Sequence, residues 1–72
     1  MRPHAYAIRA ARKACNLSLD RVQELTGIDK GHLSKVENGK ARLSDHNIHK
    51  LAEVYGVPPT AITHDDHPKE RQ

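Results

Sequence analysis

Phenylalanine and tryptophan are absent from these 72 residues, and Tyr6 and Tyr55 are the only aromatics. A core this small must be built from Leu, Ile, Val and Ala, which favours short packed helices. The single cysteine, Cys15, excludes an intramolecular disulfide and a thiolate metal cage and suits a reducing compartment. A buried, inert thiol is expected there. No apolar run approaches the ~20 residues that span a bilayer, and no charged-then-apolar leader follows Met1. A soluble, cytoplasmic protein without a membrane partner is the expectation. Also missing are a Ser or Cys beside a base and its orienter, a glycine-rich phosphate loop, and paired carboxylates on one helix face outside the tail. Enzymatic activity and a cofactor are therefore not expected.

What the chain does have is an uneven charge. Residues 1–42 carry nine Lys or Arg against four acids, a net +5, whereas residues 43–72 carry three against five, a net −2. A basic front on a weakly acidic back is the footprint of a polyanion-binding face.

The breakers Pro3, Asn16, Gly27, Gly39, Gly56 and Pro58-Pro59 cut the chain into pieces one helix long. Between Pro3 and Asn16, an Ala- and Arg-rich segment places Ile8, Ala11 and Cys15 at i, i+3, i+7, which predicts a first helix. Ser18 is a good N-cap for a second helix over about 18–26, with Val22, Leu25 and Thr26 at helical spacing and Gly27 ending it. Asp29 caps a third over about 29–38, striped by Leu33 and Val36. Ser44 caps a fourth, the clearest amphipathic segment, with Ile48, Leu51, Ala52 and Tyr55 at i, i+3, i+4, i+7. Pro59 starts a last short turn through Ile62. No strand-like alternation is visible. Residues 1–63 read as one domain and 64–72 as a polar, flexible tail with nothing to bury.

The fold class expected is therefore all-α, a compact bundle of four to five short helices. Within it, two short helices joined by a turn of about four residues containing Gly27 outline a helix-turn-helix. Ile28 plugs the angle with Val22 and Leu33. The second of the two helices then has one face on the core and another carrying Lys30, Gly31, His32, Ser34, Lys35 and Asn38. Such a helix reads base edges from its N-terminal residues. His32 is placed to donate to a phosphate, adding pH dependence near neutrality.

Leu17 before Ser18, Thr26-Gly27-Ile28 at the turn, the Leu-Ser-x-x-Glu-x-Gly of Leu33 to Gly39 and the Leu-Ala-x-x-Tyr-Gly-Val of Leu51 to Val57 resemble the Xre/Cro family of bacterial and phage repressors. The resemblance runs from about Ile8 to Ile62. It implies a lambda-repressor-like DNA-binding domain and a pairing of Arg12 with Glu37, where loss of one partner strands a partly buried charge at on the order of 3 kcal/mol. It also implies that Lys30, Gly31, Ser34 and Lys35 face base edges, and that the start of the second helix, at Ser18, takes a phosphate. Asn38, Lys40 and Arg42 would clamp the next phosphates. The partner expected is an operator in double-stranded DNA, where the protein regulates transcription as a repressor; one domain of this size offers one recognition helix, so a symmetric homodimer on a palindrome is expected. The fourth helix, the Gly56 to Ile62 segment and exposed Val54 or Val57 are the expected dimer surface.

Three positions part from the family pattern: Leu19 where Gln is frequent, Gln23 where a small residue is usual, and Gly31 among the readers. Gln23 either splays the two helices or points outward to a polar contact. Gly31 leaves room for a close backbone approach or contact with a thymine methyl. His46 with His49, and His64-Asp65-Asp66-His67, are expected to be solvated rather than metal-binding, since neither set has the spacing of a closed zinc site. The rival to operator binding is a protein-interaction module, an antitoxin or anti-repressor whose basic face meets an acidic protein.

Overall fold

Caps and glycines set the element boundaries in the computed structural model, which describes residues 1–64. A two-residue strand β1 (Arg2–Pro3) is followed by α1 (Ala5–Ala14), α2 (Leu19–Thr26), α3 (Lys30–Glu37) and α4 (Asp45–Tyr55). A 3-10 turn (Pro59–Ile62) and a second two-residue strand β2 (Thr63–His64) complete the order. Ser18, Asp29 and Ser44 each accept a backbone N–H three residues ahead, from Arg21, His32 and Asn47. These bonds satisfy donors that a helix start leaves open. α1 is capped differently: His4 Nδ1 accepts from Ala7 N–H at 3.2 Å. Gly27, at φ 79°, ends α2 by donating to the Gln23 carbonyl at 2.7 Å, a left-handed cap that an L side chain would strain.

The core has one centre. Ile8 from α1, Val22 from α2, Leu33 and Val36 from α3, Ile48 and Leu51 from α4 and Ile62 from the 3-10 turn are all fully buried. Ile28 and Leu43 close it from the two loops flanking α3. Thr26 is the polar member. Its hydroxyl donates to the Val22 carbonyl at 2.8 Å and accepts from Ile28 N–H at 3.1 Å, so burial leaves no orphan group. The Lys50 ammonium donates to the Thr26 carbonyl at 3.0 Å, placing a cation at the negative end of α2 and tying α4 to it.

Four sequence expectations change. Cys15 is exposed, because α1 stops at Ala14 and the following residue leaves the helical stripe; its thiol donates to the Tyr55 carbonyl at 3.5 Å from the core's edge. Leu25 is also exposed, since α2 turns Val22 and Thr26, one helical step of four apart, onto the core. Val54 and Val57 are half-buried against the core rather than exposed. Strands also occur. β1 and β2 pair antiparallel, Arg2 with His64 and Pro3 with Thr63, and His4 N–H donates to the Ile62 carbonyl at 2.9 Å. The His4 and His64 rings stack over this clasp with centroids 4.2 Å apart. Of the tail read over 64–72, His64 is instead held in β2 against Arg2 and His4, and residues 65–72, His67 included, lie outside the described residues. Among the described residues no helix is long and apolar enough to cross a membrane.

Candidate nucleic-acid interface

α3 is gripped at both ends. Near its C-terminus the Arg12 guanidinium meets the Glu37 carboxylate in a two-point pair, Nε to Oε2 at 2.7 Å and Nη2 to Oε1 at 3.0 Å. Its Nη1 donates to the Leu17 carbonyl at 2.8 Å, just ahead of the α2 cap. The two side chains are only 12% and 6% exposed. The Glu37 hydrogen bond holds the Arg12 pKa above its ordinary value against the opposing effect of burial. Tyr55 packs beside this pair. Burial, reinforced by the Glu37 charge, pushes its phenol up to about 12, and its hydroxyl has no hydrogen-bond partner among the described residues.

At the other end, the Asp29 carboxylate caps α3 through His32 N–H, and Gln23 of α2 reaches across the turn. Its Oε1 accepts from Lys30 N–H at 2.7 Å. Gln23 thus points outward to a polar contact, supplying a second acceptor to the first turn of α3. The Lys30 ammonium also returns to α2, meeting Asp20 Oδ1 at 2.6 Å with both side chains well exposed, 57% and 71%. Asp20 holds the Lys30 pKa above its ordinary value. A Cβ added at Gly31 would lie 2.9 Å from Asp29 Oδ2, so glycine here leaves the capping carboxylate undisturbed.

With Leu33 and Val36 turned to the core, the outward side of α3 carries Lys30, Gly31 and Lys35, all exposed, and Ser34, half-buried. Positions 30 and 34, and 31 and 35, are one turn apart and share a face. The Ser18 hydroxyl oxygen accepts from Arg21 N–H in the α2 cap, leaving its O–H as a donor. His32 is half-buried, and its Nε2 lies 2.8 Å from the Arg42 carbonyl, holding the loop between α3 and α4. Asn38 donates its amide to the Ser34 carbonyl at 2.8 Å. Lys40 and Arg42 are exposed and line a cavity of about 410 Å³ together with Arg2, His64 and Gly39. A second concavity, also about 410 Å³, opens at the start of α2 between Arg12, Lys13, Asn16, Leu17 and Ser18. Sequence reasoning passed over Lys13, Asn16, Asp20 and Arg2. The signal for Lys13 and Asn16 was their position just ahead of a helix cap in a basic stretch; no local signal brings Arg2 beside Lys40. Among the described residues no group of three His, Cys, Asp or Glu side chains is placed to hold a metal.

The helix-turn-helix family model HTH_3 matches residues 8–62, most of the chain. The chain belongs to that family. Among solved structures, this helix-turn-helix protein is similar to the restriction-modification controller protein C.AhdI from Aeromonas hydrophila. Identity is 31%, the TM-score is 0.76, and the match covers 81% of this chain and 88% of that one. It is also similar to an HTH_3 family transcriptional regulator from Vibrio cholerae, at 29% identity and a TM-score of 0.73 over 81% of this chain and 33% of the other. No curated protein sequence matches it. The family is one of non-enzymatic DNA-binding regulators, and the chain is a DNA-binding transcriptional regulator of the helix-turn-helix type.

Proposed function

We propose that the protein binds an operator through α3 in the major groove and represses transcription by occluding a promoter, acting in the cytoplasm as a symmetric homodimer. The observation that carries this reading is the two-sided character of α3. Its inner face is locked by Leu33, Val36 and the Arg12–Glu37 pair, while exposed Lys30, Gly31 and Lys35 and half-buried Ser34 lie on the side turned away from the core. A rigid helix with small and cationic residues on its outer side suits base-edge contact, Lys35 donating to guanine O6 and N7 and Ser34 to either base type. Ser18, His32, Asn38, Lys40 and Arg42 flank that side and are assigned to phosphates, which fix register without reading sequence. One domain offers one reading helix, so affinity calls for two copies on a palindrome with half-sites about 34 Å apart. The dimer surface is assigned to α4 and the Gly56 to Ile62 segment.

Selection of bound duplexes from a random library tests the reading. A palindromic consensus is expected, with log affinity falling linearly in log salt. Lys35→Ala should flatten sequence preference while nonspecific binding persists, and Lys40→Ala should weaken all duplexes alike. No duplex binding at low salt would overturn the reading in favour of a protein-interaction module, and sedimentation as a monomer on and off the DNA would remove the dimer.

A second reading follows from the 31% identity to C.AhdI across 88% of that controller. The genes under control would then be those of a restriction-modification system, and a consensus recovered upstream of such genes in the host would favour it.

A further inference from the structure

Lys30 opens α3 and is the residue of the reading face placed nearest the turn. A lysine is ordinarily a poor reader of one base, because its ammonium is a compact point charge on a four-carbon stem that satisfies any nearby phosphate equally well. Here it is tied to α2 at two points. Its backbone N–H is taken by Gln23 Oε1 at 2.7 Å, and its ammonium by Asp20 Oδ1 at 2.6 Å. Asp20 and Gln23 are three residues apart, on the same side of α2, facing the start of α3. The Asp20 side chain is exposed and, among the described residues, its hydrogen-bond partner is this lysine, so the carboxylate has no role in the core or in the side-chain cap of α2, which Ser18 supplies. Asp20 lies in the first turn of α2, where the helix dipole favours an acid, yet a carboxylate at the edge of a polyanion-binding surface is repelled by phosphate, and here it is spent on the first residue of the reading helix.

We infer that Asp20 is a specificity-positioning residue: with Gln23 it holds the Lys30 ammonium in one place over the groove and offsets its charge, so that Lys30 serves base recognition rather than general phosphate attraction. This rests on the proposed reading of α3 as the DNA-reading helix. The ion pair limits the rotamers open to the lysine stem before DNA arrives. It also lowers the gain from a phosphate contact, which needs the whole cationic charge, more than the gain from a base acceptor lying beside the pair. The carboxylate retains a second oxygen, Oδ2, able to accept from an exocyclic amino group on the same base step.

The test compares Asp20→Asn, Lys30→Ala and the double variant on two probes, random-sequence duplex and the consensus duplex selected by the unaltered protein. Asp20→Asn is expected to bind random duplex several-fold more tightly, with a salt slope steeper by about one counterion. The ratio of consensus to random affinity should fall about tenfold. In the Lys30→Ala background the same Asp20 change should leave that ratio unaltered, which separates positioning of Lys30 from simple removal of a negative charge. A DNA-independent readout accompanies these: the Lys30 ammonium should titrate lower in Asp20→Asn than in the unaltered protein, followed by NMR. An unchanged ratio in Asp20→Asn, or an equal fall in both backgrounds, overturns the role of Asp20 and leaves the function reading standing. If the unaltered protein shows no sequence preference, that reading falls and the inference with it, whatever the Lys30 titration shows. Circular dichroism of the variants checks that helix content is retained, which the exposure of both side chains leads us to expect.

Discussion

Two ion pairs tie α3 to the rest of the molecule, and they differ in nearly everything but their chemistry. Arg12–Glu37 is two-pronged, almost closed to water and anchored further on the Leu17 carbonyl. Lys30–Asp20 is a single contact between two exposed side chains. In the first, both charges have been taken out of water, so each depends on the other and breaking one strands the second. In the second, water and salt supply a ready alternative, and the pair contributes little to holding the fold. The contrast separates two tasks on one helix: the end near the core is fixed by a pair that cannot be parted cheaply, whereas the end offered to DNA is fixed by one that can be.

The sharpest way to break this comparison is to remove one buried partner. Arg12→Met should lower unfolding free energy by about 3 kcal/mol, and adding Glu37→Leu should restore most of it, because no charge is then left unpaired. Urea denaturation of the three proteins measures this; a loss under about 1 kcal/mol in the single variant would put both pairs in one class. A smaller effect should appear at high pH. Folding raises the Tyr55 phenol from 10.0 to about 12, so its neutral form adds stability that is complete below pH 10 and is lost as pH rises through 12. The amount is about 2–3 kcal/mol at ~1.4 kcal/mol per unit. Tyr55→Phe, which removes no hydrogen bond seen among the described residues, should shift stability by less than about 1 kcal/mol at pH 7 and should flatten the alkaline fall.

Smaller again is the cap at the reading end. Asp29→Ala is expected to destabilise by about 1 kcal/mol. Gly31→Ala alone should change little, the helix propensity gained being offset by the crowded carboxylate; in the Asp29→Ala background it should stabilise by up to about 1 kcal/mol. Additivity between the two would show that Gly31 is not there for the cap. Smallest of all, Asp20→Asn should leave the urea midpoint within experimental scatter at any salt concentration. A clear drop would mean that the exposed pair shares the structural task of the buried one.

The local parts of the fold were legible in the sequence. Ser18, Asp29 and Ser44 announce helix starts and Gly27 and Gly56 helix ends, because a cap is decided within three or four residues of itself. What escaped depends on neighbours far along the chain. Cys15 satisfies the i+7 spacing from Ile8 yet lies beyond the last turn of α1, and spacing alone does not say where a helix stops. The β1–β2 clasp is too short for alternation to mark it, with strands about sixty residues apart. For the interface, the sequence pointed to α3 and its outer residues, but not to what holds them. That Gln23 meets the Lys30 N–H, that Asp20 meets its ammonium and that His32 reaches the Arg42 carbonyl are matters of how two helices and a loop are set in space.

The clasp between β1 and β2 has a kinetic consequence. Two residue pairs, the His4 bond to Ile62 and the His4–His64 stack fasten it at the rim of the core, where Ile8 and Ile62 already bring the two segments together. The helices, whose hydrogen bonds are local, are set to form before it, and in the native protein the clasp is set to open first, while the core around Val22 and Leu51 stays shut. Amide exchange should therefore be orders of magnitude faster at His4 than at Val22, an edge that breathes on a domain that does not.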